Sequence, residues 1–272
     1  MSKYIWQHPD WPRFFWDSAR LLCPLAECRK RQGALLALAH GLGLEAGQRV
    51  RAEAMTREAV TTAEIEEVSL DFEAVRSSVA RRLGLPDAGL SPLDREIEGL
   101  VDILFDASEG HGSELTAKRL FGWQAALFPT GYSGMRKIRV GGWRPEDAPM
   151  RVLSGPIGKE RVHFVAPGGD LVPKEMEGFF SWWRTSQGAM DGLVRAGVAH
   201  LYFVSIHPFE DGNGRLARAL TDMAMAQDEK SQARFYSLSV QMRKERKAYY
   251  QALETAQKGS CGITDWLLWF LG

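Results

Sequence analysis

Cysteine is nearly missing from this chain: Cys23, Cys28 and Cys261 are all that 272 residues contain. An odd, sparse set cannot build a disulfide framework and suits a reducing compartment. Cys23 and Cys28 could supply half of a metal site, but no second pair exists, so two inert buried thiols are expected. Net charge is missing as well, because 34 Lys and Arg balance 34 Asp and Glu. That balance argues against a protein that coats nucleic acid, and no direct nucleic-acid binding is expected. No apolar run reaches the ~18–20 residues of a membrane span. The opening MSKYIWQHPDWPRFFWD is polar and aromatic with no apolar leader core, so it does not read as a signal peptide. A cytoplasmic protein without membrane contact is the expectation. No Gly-x-x-x-x-Gly-Lys-(Ser/Thr) occurs, which excludes a P-loop enzyme, and Gly41-Leu42-Gly43 follows a helical run instead of the strand a dinucleotide fingerprint needs.

What is present is 45% hydrophobic residues, enough for one large domain or two small ones with a real core. Helix signals dominate. Residues 28–41 are rich in helix formers and stop at Gly41, and residues 49–66 resume the pattern. A third run follows Ser69-Leu70-Asp71, a capping segment, through Val75, Val79 and Leu83. Leu85-Pro86 and Ser91-Pro92 mark turns, and Leu93–Ala107 is helical again. Residues 129–170 hold eight glycines, and there the runs 150–153 and 162–165 flank Ser154-Gly155-Pro156-Ile157-Gly158 as a β-hairpin. Helical pattern returns at 173–185, at 190–206, at 242–256 and at 264–271. The run up to Ile206 is apolar nearly all round and reads as a buried central helix. The basic run Arg243-Lys244-Glu245-Arg246-Lys247 reads as a solvated face. The fold class is mainly α with one small hairpin.

Chemistry concentrates in residues 207–218, His-Pro-Phe-Glu-Asp-Gly-Asn-Gly-Arg-Leu-Ala-Arg. Pro208 disfavours helical geometry at His207, so the central helix stops there. Gly212, Asn213 and Gly214 let successive N–H groups point into one hollow at the start of the next helix, which is an anion site. Arg215 and Arg218 stand three apart on one helix face, and each guanidinium can fork two phosphate oxygens. Asp211 would repel a bare phosphate and makes sense with a divalent cation between, Mg²⁺ being the natural choice. His207 sits at the rim, and an imidazole that titrates near neutral pH suits a general base. His200 lies seven residues earlier; without a third ligand at fixed spacing it reads as a buried, hydrogen-bonded histidine and not as half of a zinc site.

The segment resembles the pattern His-x-Phe-x-(Asp/Glu)-Gly-Asn-Gly-Arg-x-x-Arg of Fic-domain proteins at every fixed position. The resemblance extends to the hairpin, to Tyr249-Tyr250 and to Thr264-Asp265-Trp266. Tyr4-Ile5-Trp6-Gln7-His8-Pro9-Asp10-Trp11-Pro12 looks like a helical module often joined to bacterial Fic domains. The organisation it implies is an N-terminal helical region, 1–110, and a catalytic core with C-terminal helices, 111–272. The implied activity is transfer of AMP from ATP to a protein hydroxyl. By the same resemblance His207 deprotonates the hydroxyl, Phe209 anchors the loop, Asp211 holds Mg²⁺ and Gly212, Asn213 and Gly214 cradle phosphates. Arg215 stabilises charge on the leaving side, and Arg218 grips the γ-phosphate. Tyr249, Tyr250 and Gln257 line the adenine pocket, with core packing as the alternative for the tyrosines. The target protein is laid along the hairpin, about 151–164, as an added strand; self-modification is a further outcome.

Fic proteins are silenced by a helix of pattern (Ser/Thr)-x-x-x-Glu-(Gly/Asn). Thr62-Ala63-Glu64-Ile65-Glu66-Glu67 fits at Thr62 and Glu66 and departs at Glu67. An inhibitory helix over about 52–67 would pair Glu66 with Arg218 in the slot of the γ-phosphate. The alternative is a solvated acidic helix end, and the exact end is open because Gly or Asn normally terminates it. De-AMPylation, phosphotransfer on the same fold and non-catalytic nucleotide sensing stand as alternative functions. Gly214 argues against the second, because related phosphotransferases tend to carry lysine there, and an intact His207 argues against the third. A self-dimer that relieves or reinforces the brake is left open.

Overall fold

The computed structural model describes residues 3–86, 93–146, 150–155 and 159–272. Ser91-Pro92 and residues 156–158 of the expected Gly-Pro turn lie outside them. Side-chain caps decide where many of the helices begin. Asp17 accepts from the amides of Ala19 and Arg20 and opens α1 (Ser18–His40), ten residues ahead of the sequence expectation and with Pro24 inside it. Next comes α2 (Leu44–Ile65), also longer at its start than expected. Asp71 caps α3 (Phe72–Arg82) through the Ala74 amide at 2.7 Å. Asp94 caps α4 (Arg95–Glu109) and Thr116 caps α5 (Ala117–Leu127), a helix not evident in the sequence pattern.

Two antiparallel hairpins follow. The first, β1 (Tyr132–Ser133) with β2 (Arg136–Lys137), was not expected. The second, β3 (Arg151–Ser154) with β4 (Arg161–Val165), pairs Arg151 with Val165 and carries a register shift between Val152 and Leu153. The remaining elements are α6 (Val172–Ser186), α7 (Gly192–Ile206), α8 (Asn213–Glu229), α9 (Leu238–Lys244), α10 (Arg246–Gln257) and α11 (Thr264–Leu271). The expected helix over 242–256 is thus two helices, because Glu245 leaves the helical basin at φ −104°, ψ 26°.

All fifteen residues of α7 are buried. It packs against α8 most extensively and also against α6, α10 and α11, while α4 covers α8. Burial of each large apolar side chain there contributes roughly 1.5–3 kcal/mol. The apolar end of the chain docks on this helix through Trp266, whose indole N–H donates to the Gly197 carbonyl at 2.8 Å. At the other end Tyr4-Ile5-Trp6 belongs to no α-helix. It makes one 3-10 turn, because Tyr4 packs edge-on to Phe164 at 5.3 Å and Trp6 Nε1 donates to the Val165 carbonyl at 2.7 Å. The second hairpin is therefore braced by the first residues of the chain. Cys23 is exposed and Cys28 only partly buried, which corrects the expectation of two buried thiols; all three cysteines are free. Among the described residues no helix is long and apolar enough to cross a membrane, and no group of three or more metal-binding side chains gathers.

Candidate active site between α7 and α8

His207 ends α7 in the left-handed region, φ 53° and ψ 60°, with its amide still bonded to the Phe203 carbonyl at 3.0 Å. Such a backbone costs a non-glycine residue about 1–2 kcal/mol. Its Nδ1 lies 3.2 Å from the Val204 carbonyl. A carbonyl only accepts, so Nδ1 carries the proton and Nε2 keeps its lone pair. Burial pushes the imidazole down to about 4, helped by the charge of Arg144 and opposed by the Val204 carbonyl, Glu66 and Asp211. That corrects the expectation of titration near neutrality: the ring is already a neutral base at pH 7.

The loop beyond it is built to hold still. Phe209 is fully buried, with its ring 5.2 Å from Trp143 and 6.4 Å from Phe121. The Asn213 carboxamide accepts from the Phe209 amide at 3.0 Å and donates to the Phe209 carbonyl at 2.8 Å. This side chain is a brace, so any hold on an anion at Asn213 comes from its main chain. Gly212 sits at φ 87°, a left-handed turn. The first intrahelical bond of α8 runs from Leu216 N to Gly212 O at 3.0 Å, so the N–H groups of Asn213, Gly214 and Arg215 precede it. Over that turn sits the carboxylate of Glu66: a β-carbon on Gly214 would collide with its Oε1. Asp211 accepts from the Gly212 amide at 2.6 Å and from the Ser133 hydroxyl, and stands 4.0 Å from Arg215 Nη2.

Arg218 is 2% exposed. Its Nε donates to the Thr62 hydroxyl at 2.6 Å, and its Nη2 donates to the Thr62 carbonyl at 3.0 Å and to Glu66 Oε1 at 2.8 Å. Arg218 Nη1 and Arg215 Nε are buried without a protein partner among the described residues. The Arg215 guanidinium lies 5.0 Å from the Phe128 ring centroid, and burial lowers its pKa.

The end of α2 is held by three arginines. Glu64 faces Arg243 at 3.7 Å, Glu66 faces Arg218 and Glu67 faces Arg246 at 2.8 Å. Of the expected solvated basic run, Arg243 is exposed while it faces Glu64, and Arg246, which the break at Glu245 places beside α2, is part-buried. Glu67 takes φ 62°, and the bonds Glu67 N to Glu64 O and Val68 N to Ala63 O, both 3.0 Å, close a Schellman motif. The helix therefore ends where the sequence pattern asks for Gly or Asn, with a glutamate in the left-handed position.

The proposed adenine residues part company. Tyr249 is a core residue, 2% exposed, whose hydroxyl meets His200 Nε2 at 2.8 Å; its ring lies tilted against Trp269, centroids 5.4 Å apart. His200 bonds Thr221 through its other nitrogen, and burial lowers its pKa to about 3. Gln257 is buried too, its Nε2 3.4 Å from the Val204 carbonyl and the Ser205 hydroxyl. Core positions leave neither side chain an open face, against the expectation of a pocket lining. Tyr250 is 38% exposed, donates to the Ile65 carbonyl at 3.3 Å and has Arg246 above its ring. Sequence reasoning missed Ser133 and Arg144, which belong to no spaced motif, and saw Arg243 and Arg246 only as part of a basic run, without their place beside α2.

Residues 114–225 match the Fic/DOC family, and residues 4–85 match a domain of unknown function, DUF4172. A 62-residue stretch is 42% identical to a protein adenylyltransferase fic-1 of Caenorhabditis briggsae, covering 22% of this chain and 12% of that one. A 96-residue stretch is 33% identical to a protein adenylyltransferase Fic of Aedes aegypti, covering 35% and 18%. The matches thus span less than a fifth of those relatives' lengths. The fold is that of a Fic family protein from Desulfovibrio desulfuricans, with TM-score 0.68, 23% identity and coverage of 93% of this chain and 71% of that one.

Proposed function

We propose, from the Fic/DOC family domain matched at residues 114–225, that the chain is a protein adenylyltransferase restrained by its own Glu66. One observation carries the reading. A carboxylate sits on the first turn of α8 and binds Arg218, while Arg215 Nε and Arg218 Nη1 are buried donors without an acceptor among the described residues. Buried guanidinium donors demand acceptors. A triphosphate supplies them, and Glu66 occupies part of its place.

In the proposed reaction a target hydroxyl oxygen attacks the α-phosphorus of ATP and gives its proton to His207 Nε2. The bond from the α-phosphorus to the bridging oxygen breaks, and pyrophosphate leaves toward Arg215 and Arg218. The N–H groups of residues 213–215 and the dipole of α8 hold the phosphates. Asp211 is a half-exposed carboxylate, and among the described residues no group of three or more metal-binding side chains gathers there. That fits Mg²⁺, which takes one carboxylate and completes its shell with phosphate oxygens and water. The ion would neutralise charge on those oxygens. Tyr250 offers the base a ring face, and Leu153 and Val162, paired and exposed on the β3–β4 hairpin, offer a target segment an apolar rail. A reducing cytoplasm suits three free thiols.

Mass spectrometry of Glu66→Gly protein after ATP and Mg²⁺ treatment tests the reading, with His207→Ala in the same background as control. A gain of adenylate that disappears in the control supports it. A gain of phosphate, or no gain with any candidate target, overturns it.

A further inference from the structure

Beyond the residues of the sequence motif, we propose that Arg144 is the positioning residue that keeps His207 in its reactive setting, by gripping the main chain around it. The inference rests on the reading above only for its activity readout. Arg144 lies outside every spaced motif, yet it is 3% exposed in the loop between the two hairpins. Its Nε donates to the His207 carbonyl at 2.8 Å, and its own amide donates to the Pro208 carbonyl at 2.9 Å. Its Nη2 donates to the Pro167 carbonyl, just past β4.

Two consecutive carbonyls directly after the strained His207 Cα are thereby pinned from one residue. His207 is the left-handed non-glycine residue that joins α7 to the motif loop. Strain of that kind persists only where the surroundings over-determine it. The Nδ1–H bond to Val204 orients the ring only if the backbone beneath the ring is fixed. Arg144 fixes it, and its third bond ties the same point to the base of the hairpin. A charge buried this deeply is costly unless its donors are used; Nε and Nη2 are used here, and Nη1 has no partner among the described residues. Burial lowers the Arg144 pKa, which marks that cost. The rigid guanidinium fork reaches two carbonyls, on separate segments, at once.

The test uses Glu66→Gly protein as the parent. Arg144→Gln and Arg144→Lys are compared with it for adenylate transfer, for ATP affinity by calorimetry, and for the His207 Nδ1–H resonance by ¹⁵N NMR. A displaced base is expected to lower kcat by about 10²-fold in Arg144→Gln, with less loss in Arg144→Lys and ATP affinity within about twofold of the parent. The Nδ1–H signal, protected in the parent, is expected to exchange with water in Arg144→Gln. Retained ATP binding shows that the variant is folded; if Arg144→Gln does not fold, Arg144→Lys decides. Unchanged kcat together with an unchanged Nδ1–H signal overturns the proposal. If the parent transfers no adenylate, the functional reading fails, while the NMR comparison still decides the clamp.

Discussion

Glu66 and Gly214 share one space: the carboxylate of the first stands where any side chain on the second would have to go. It reaches Arg218 there at 2.8 Å, across 152 residues of chain. Glu66→Gly is expected to raise adenylate incorporation, self-modification included, by an order of magnitude or more, because about 1.4 kcal/mol of relieved competition is already tenfold. Labelled ATP measures it, and equal incorporation in variant and parent removes the brake.

The same variant leaves Arg218 with Thr62 alone. Breaking a buried pair costs up to about 3–5 kcal/mol, but Glu66 is a third exposed and Thr62 still accepts two bonds, so about 1–2 kcal/mol is expected. ATP with Mg²⁺ should then raise the unfolding temperature more in Glu66→Gly than in the parent, since ligand that binds only the folded state stabilises it. Thermal shift with and without nucleotide reads both effects, and a larger shift in the parent contradicts them.

Glu67 occupies a left-handed position that glycine fills without steric cost. Glu67→Gly relieves about 1 kcal/mol and loses an Arg246 pair whose glutamate is 77% exposed, worth about 0–1 kcal/mol. Stability equal to or slightly above the parent is expected in urea denaturation. A loss beyond about 1 kcal/mol would make the ion pair the stronger element.

Proton binding follows from the two histidines. His207 and His200 are depressed to about 4 and about 3 in the folded chain, against about 6.5 when unfolded. Between those values the unfolded state binds more protons, so stability rises with pH up to about 6.5 and falls as pH drops toward 4. For activity the base stays neutral above about pH 5, so transfer by Glu66→Gly should plateau from about 6 to 8. A pH–rate profile with an acid limb near 6.5 would mean that His207 is solvated.

Tyr249 and Tyr250 should separate cleanly. Tyr249→Phe leaves His200 Nε2 buried without its 2.8 Å partner, a loss of about 1–3 kcal/mol in thermal unfolding, with ATP affinity retained. Tyr250→Ala should weaken ATP binding by calorimetry with a smaller loss of stability. The reverse pattern would put the base against Tyr249.

Sequence pattern exposed the elements whose logic is local. The buried helix before Pro208, the Asp71 cap, the hairpin strands and the 207–218 motif all follow from spacing and residue type. The pairing of Glu66 with Arg218 was readable because both ends carry a recognisable pattern. Other features were hidden for physical reasons. Cysteine exposure depends on which face of α1 meets the core. A helix break at Glu245 has no Pro or Gly to announce it. The acidity of His207 depends on how deeply the loop is buried, which no short motif encodes. Ser133, on β1, and Arg144, in the loop between the hairpins, reach the site only through the fold, from a stretch that carries no spaced motif.

The three arginines at the tip of α2 belong to different parts of the chain: Arg218 to α8, Arg243 and Arg246 to the bent pair α9 and α10. The tip is therefore moored at several points, two of them in reach of dissolved ions. Letting go is a collective event that ionic strength can ease, and under the proposed function a protein that pulled α9 and α10 aside would free Arg218 from Glu66 without touching the 207–218 loop.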